Sequence, residues 1–203
     1  MDTSCEYLTV VAYKDGKATT AFLPDCSMRH SVTLMNEIDG VLKKSGLSLA
    51  DFDYFSAVVG AGSFTGIRIG ISAIKGFCLA LNKPALPVTS FDVAAYNNVG
   101  GQGKRLCLID ALHDAYYVCG YDGDEIVYPP AYITEEEVLE LEKQGYVLVS
   151  CSSLPIANVT SVVKADPVTG LLNAASALAK KEQFGELTAL YVRKSSAELN
   201  LKV

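Results

Sequence analysis

The 203-residue chain contains no tryptophan and only two histidines, His30 and His113. Neither has a second histidine three to five residues away, so paired imidazole metal ligands are excluded on spacing. Six cysteines, at 5, 26, 78, 107, 119 and 151, form no Cys-x-x-Cys pair and follow no apolar leader-like run. They are expected to be small core residues in a reducing cytoplasm. Basic charge is scarce as well: 17 Lys and Arg against 23 Asp and Glu give a net charge of −6. Without a broad basic footprint, any contact with RNA is expected to run through a partner. The longest apolar stretch, Ile67 to Leu81, is broken by Arg68 and Lys75. It reads as too short to span a bilayer, and no membrane partner is expected.

Several catalytic signatures are missing too. A Walker loop starting at Gly60 would need glycine where Thr65 stands and lysine where Gly66 stands, and no lysine follows before Lys75. A dinucleotide fingerprint fails because Gly60-x-Gly62 leads to Thr65 instead of a third glycine. The nucleophile elbow Gly-x-Ser-x-Gly is absent, since Gly62-Ser63-Phe64-Thr65-Gly66 is shifted by one. No catalytic residue and no metal site is assigned.

What is present is concentrated in Gly60-Ala-Gly-Ser-Phe-Thr-Gly-Ile-Arg-Ile-Gly70, where an apolar strand becomes a helix. Two readings fit this junction. Gly60, Gly62, Ser63, Phe64, Thr65, Gly66 and Arg68 could form a phosphate loop, because a helix N-terminus offers unpaired N–H groups and partial positive charge. The glycines could instead form a structural elbow that lets backbones approach closely.

Around it, residues 7–13 and 17–23 read as a hairpin across Asp15-Gly16, and 27–45 as a helix stopped by Gly46. A strand at 54–59, a helix at 65–81, a strand at 86–88 and a helix capped by Ser90 complete a first lobe over residues 1–98. The glycine-rich run 97–103 reads as a linker. The second lobe, 99–203, is expected to hold strands at 105–109, 115–121 and 126–128, a helix opened by the Thr134/Glu137 capping box, a strand at 146–150 and a helix at 167–180. Helices 27–45 and 65–81 carry more apolar surface than one buried face requires, which marks a candidate interface. Asp110 and Asp114 stand at strand ends, where aspartate commonly hydrogen-bonds its own turn.

The string GAGSFTGIRIG, Asp2-Thr3-Ser4, His30-Ser31, Asp110-Ala111 and Tyr191-Val-Arg-Lys-Ser-Ser-Ala-Glu198 together resemble the TsaB (YeaZ) family. The resemblance implies an α/β fold of two lobes in the actin and sugar-kinase architecture. It implies a non-catalytic partner of TsaD that, with TsaE, supports threonylcarbamoyl transfer to the adenosine beside the tRNA anticodon. ATP would then be used at the partner subunits, tRNA met only through the complex, and a homodimer would compete with the TsaD pairing. Partner binding is expected from Arg29, His30, Val32, Met35, Ile38, Ile67, Gly70, Ile71, Ile74 and Cys78, and a vestigial inter-lobe site from Asp2, Thr3 and Asp110. Two departures stand out: Ala61 replaces a proline usual in the family loop, and the apolar strand that precedes Asp-Thr-Ser is reduced to Met1, so a start upstream of Met1 is expected. The alternatives are a nucleotide-dependent phosphotransferase or ATPase using Gly62 to Gly66 and Asp110, and a degenerate glycoprotease-like peptidase.

Overall fold

The computed structural model describes residues 1–97, 103–112, 114–154, 156–157, 159 and 161–193. Most of the linker at 97–103, His113 and the last part of the Tyr191–Glu198 motif lie outside these residues.

Strands β1 (Leu8–Lys14) and β2 (Lys17–Leu23) form an antiparallel hairpin. Asp15 and Gly16 both take positive φ, 50° and 79°, which a two-residue hairpin turn requires. Helix α1 (His30–Ser45) starts three residues later than its apolar pattern suggests and ends on Gly46 at φ 69°. After a short 3₁₀ turn, β3 (Phe55–Val58) leads through the glycine loop into α2 (Phe64–Leu81), and β4 (Ala85–Val88) pairs parallel with β3. Helix α3 (Ser90–Ala95) follows. Its N-cap is Thr89, not Ser90: Thr89 Oγ1 accepts from the Asp92 N–H while Asp92 Oδ2 accepts from the Thr89 N–H, a reciprocal box. Ser90 is thereby turned inward, donating to the Ala61 carbonyl at 2.6 Å.

The second sheet has the order β7-β6-β5-β8-β9. It is built from β5 (Lys104–Asp110), β6 (Ala115–Asp122), β7 (Glu125–Thr134), β8 (Val147–Ser150) and β9 (Val162–Lys164). Central β5 runs antiparallel to β6 and parallel to β8. Strand β7 outruns its sequence-based span because it is an edge strand, where Pro129 and Pro130 are tolerated. Helix α4 (Glu135–Lys143) carries the expected Thr134/Glu137 box, and α5 (Pro167–Lys180) has its proline in the first turn.

The first half repeats that plan. Asp2 bridges Thr9 of β1 in antiparallel fashion, Met1 accepts from the Val58 N–H, and the Met1 ammonium donates to the Ser56 carbonyl at 2.8 Å. Met1 and Asp2 therefore stand where β5 stands in the other sheet, between an antiparallel hairpin and a parallel strand.

Packing contacts cross the expected division at residue 98. Helix α5 packs its Leu171, Ala174 and Leu178 on Val58, Leu86, Val88 and Val93 of the first half. The segment after α5 contributes Leu187 to the core beneath α1 and α2, and Leu190 and Val192 to the core between α3 and the second sheet. Helix α2 is, by length and composition, long and apolar enough to cross a membrane, contrary to the sequence expectation. Here Ile67, Ile71 and Ile74 form its buried side within the first core.

Candidate functional site

The glycine loop is filled by the protein's own backbone. A Cβ on Gly62 would overlap the Ser4 carbonyl oxygen, and one on Gly66 the Thr3 carbonyl oxygen. At Gly60 it would come within 2.6 Å of the Leu190 oxygen. Gly70 faces Thr3 Oγ1 in the same way, while that hydroxyl donates to the Gly66 carbonyl at 2.7 Å. Two N–H groups at the start of α2 are taken as well: Gly66 N–H by Ser63 Oγ, and Ile67 N–H by the Ser63 carbonyl. Arg68 lies over the Phe64 ring at 3.8 Å, and its Nε donates to Tyr191 Oη. Tyr191 stacks on Phe64 with centroids 4.6 Å apart. Of the two sequence readings the geometry matches the elbow, because the space a phosphate would need holds residues 3, 4 and 190. Thr65 is exposed and bonded to none of these groups.

Asp2, Thr3 and Asp110 do not converge. Asp2 is fully buried, and its Oδ1 accepts from the N–H and the hydroxyl of Ser4 at 2.8 and 2.7 Å. Its Oδ2 has no hydrogen-bond partner among the described residues, and burial raises the carboxyl above its ordinary range. Ser4 continues to Ser90, so a chain of hydroxyls ties the Asp2 turn to α3. Asp110 is exposed and accepts from the Leu112 N–H, the turn bond anticipated for it. It lines a cleft of about 770 Å³ shared with Glu6, Tyr7, Cys151, Ser152, Lys164 and Asp166, which the sequence did not single out. Asp2 is not among that lining. The cleft thiol is a poor nucleophile, because burial, then the nearby Asp2 charge, push Cys151 up to about 12. Among the described residues no three His, Cys, Asp or Glu side chains are grouped as metal ligands would be.

The two helices divide into faces more sharply than their sequences reveal. His30, Ile38, Ile67, Gly70, Ile71 and Ile74 were expected at a docking surface and are buried, Ile74 at 3% exposure. The His30 ring bonds the Tyr7 carbonyl, and the isoleucines fill the first core. Cys78 is half-buried beside the Pro84 carbonyl. Arg29, Val32 and Met35 remain outside. Val32 is 72% exposed, and Met28 just ahead of α1 is 99% exposed. On α2 the outer side shows Ser72, Gly76, Leu79 and Ala80, the first three of which sequence reasoning passed over. A bare Gly76 on an open helix face, with nothing within 4 Å of where a Cβ would stand, was the available signal.

A family model described as "TsaD: tRNA N6-adenosine threonylcarbamoyltransferase" matches residues 22–190. The TsaB protein of Escherichia coli, described as a tRNA threonylcarbamoyladenosine biosynthesis protein, is 31% identical over 127 residues, covering 62% of this chain and 54% of its own length. The Bacillus subtilis protein of the same description is 25% identical over 58% of this chain and 51% of its own. The chain thus spans about half the length of these relatives. The solved structure of YeaZ from Pseudomonas aeruginosa superposes with a TM-score of 0.74 at 20% identity, covering 94% of this chain and 96% of that one. That likeness confirms the two-lobed actin-like fold. With its family model spanning residues 22–190, the chain belongs to the TsaD family, among its TsaB (YeaZ) members.

Proposed function

We propose that the chain is a non-catalytic subunit in tRNA threonylcarbamoyladenosine biosynthesis, working by docking onto a TsaD-like transferase. The observation that carries this reading is the apolar outer surface of the helix pair: Met28, Val32 and Met35 at the start of α1, and Leu79 on α2, are all exposed. Such surface costs solubility unless something covers it. Gly76 adds support, since an exposed helical glycine costs about 1 kcal/mol relative to alanine and nothing among the described residues requires it. A glycine there lets a second helix come close. An interface of ordinary size buries about 800 Å² on each side, within reach of two helices. On this reading ATP and TsaE act at the partner, and tRNA is met only by the assembled complex.

The test is light scattering of the chain alone and mixed with TsaD from the same organism, followed by a threonylcarbamoylation assay with TsaE, ATP and tRNA. A mixed complex whose activity requires this chain is expected. A homodimer that persists in excess TsaD would reject the pairing. A second reading, a nucleotide-dependent phosphotransferase, rests on the roomy cleft holding Asp110 and Lys164. ATP turnover by the chain alone, lost in Lys164→Ala, would favour it over docking.

A further inference from the structure

Arg68 and Arg193 are two of the four arginines in the chain. Among the described residues no carboxylate pairs with either one; the ion pairs at Lys14, Lys43, Lys75, Lys143 and Lys181 are all made by lysine. Each guanidinium lies instead on an aromatic ring, Arg68 over Phe64 at 3.8 Å and Arg193 over Tyr132 at 4.7 Å. Each also donates once to a phenol: Arg68 Nε to Tyr191 Oη at 2.9 Å, and Arg193 Nη1 to Tyr132 Oη at 3.0 Å. A guanidinium carries five N–H donors, so most of them meet no acceptor among the described residues.

Three distant parts of the chain bring these groups to one surface. Phe64 and Arg68 stand one turn apart at the start of α2. The segment after α5 is laid against the glycine loop by the bond from the Leu190 N–H to the Val59 carbonyl, with Leu190 and Val192 turned into the core between α3 and the second sheet. Tyr191 and Arg193 therefore face outward together, Tyr191 stacked on Phe64 and Arg193 on Tyr132 of the β7 edge. Tyr132 in turn tilts against Tyr117, its partner across the β6–β7 ladder. Phe64, Tyr191 and Tyr132 all remain exposed. A carboxylate would cancel the charge of each arginine, whereas a ring fixes the guanidinium plane and leaves the charge standing.

We propose that Phe64, Arg68, Tyr132, Tyr191 and Arg193 form a stacking platform for unpaired nucleotides of an RNA strand, a base lying on the exposed rings and the adjoining phosphates on the two guanidiniums. Open ring faces take a planar base, and uncancelled N–H donors take an anionic oxygen; a nucleotide carries both. An acidic peptide offers only the anion, and a paired duplex hides its base faces. RNA as the source of the nucleotides rests on the proposed role in tRNA modification. Phe64, Arg68, Ser72 and Gly76 follow at four-residue spacing, so the platform extends the exposed row of α2 that docking uses, about 18 Å along the helix from Gly76. With a net charge of −6 the chain has no wider basic footprint, which confines the contact to the phosphates that two arginines can reach. At the ionic strength of a cell so small a contact does not hold RNA alone, and the assembled complex supplies the rest.

The test is fluorescence anisotropy of a labelled single-stranded RNA of about ten nucleotides, titrated with the chain alone from about 20 mM salt upward. TsaD is left out, so failure here and failure of the docking reading are told apart. Binding should weaken with salt at a log–log slope of about −1.4, from two phosphates at about −0.7 each. Arg193→Gln should bring the slope to about −0.7, and Tyr132→Leu should weaken binding roughly tenfold with the slope unchanged. Both side chains are exposed, so circular-dichroism melts of both variants should match the parent chain. Three results on the parent chain would each overturn the proposal: no binding at low salt, equal binding of a fully paired duplex, or competition by polyglutamate as strong as by unlabelled RNA. The last would assign the surface to an acidic peptide instead.

Discussion

Gly66 and Gly76 are ten residues apart on one helix, yet alanine at each should act in opposite directions. At Gly66 the new methyl meets the Thr3 carbonyl, and backbone cannot step aside, so a loss of about 3 kcal/mol in urea unfolding is expected. At Gly76 the methyl meets open space, and the gain in helix propensity should stabilise the monomer by about 0.8–1 kcal/mol. If the outer face docks as proposed, the same Gly76→Ala weakens binding to TsaD; a pulldown titration beside the melt separates the two effects. Met1 carries a second prediction at this scale. Burial lowers its ammonium from 8.0 to about 6, so between those pH values the unfolded chain holds a proton that the folded chain has released. Stability should therefore rise from pH 6 to pH 8, by about 2–3 kcal/mol at most. Asp2, raised by burial, acts in the opposite sense as pH climbs from 3.8. An N-acetylated chain keeps the donor to Ser56 but has no proton to lose, so its urea midpoint should lose the rise specific to Met1. Which glycines face backbone was hidden in the sequence, because Thr3 and Ser4 are some sixty residues away from the loop they fill, and spacing reports only local partners.

Helix ends were more legible than helix faces. The Thr134/Glu137 box was read directly, because both partners lie within one turn. The same signal, threonine followed three residues later by aspartate, was there at Thr89 and Asp92 and was overlooked in favour of Ser90. Thr89→Ala should cost about 1 kcal/mol. More follows if Asp92 shifts, since its other oxygen accepts from the buried Tyr121 hydroxyl of β6 and so clamps α3 to the second sheet. Strand β9 escaped notice because three residues carry no period, and its existence depends on parallel pairing with β8. Periodicity found the apolar positions of α1 and α2 but could not say which side is core. Accordingly Ile74→Asp, which a docking role for Ile74 would leave folded, should unfold the chain, because it buries an unpaired carboxylate. Met35→Asp and Val32→Asp should change stability by no more than about 0.5 kcal/mol. Each should weaken the TsaD complex by roughly 30-fold or more if it lies at the centre of the contact. Paired circular-dichroism melts and light scattering distinguish these outcomes.

For the molecule as a whole, the α/β class was readable from element order, whereas the repetition of one sheet plan became visible only in the strand pairing. The cleft was not readable, since Glu6, Ser152, Lys164 and Asp166 come from distant parts of the chain; Ser152 donates to Glu6 across 146 positions. Nor was the way the chain doubles back. Because α5 covers β4 and Leu187 closes the core under α2, the first half depends on residues made last. During translation, at about 5–20 residues per second, the apolar face of β3 and β4 stays uncovered for roughly 5–20 s after residue 98 leaves the ribosome. The first half therefore cannot complete its own core until α5 and Leu187 have been made, so its final packing waits on the last part of the chain.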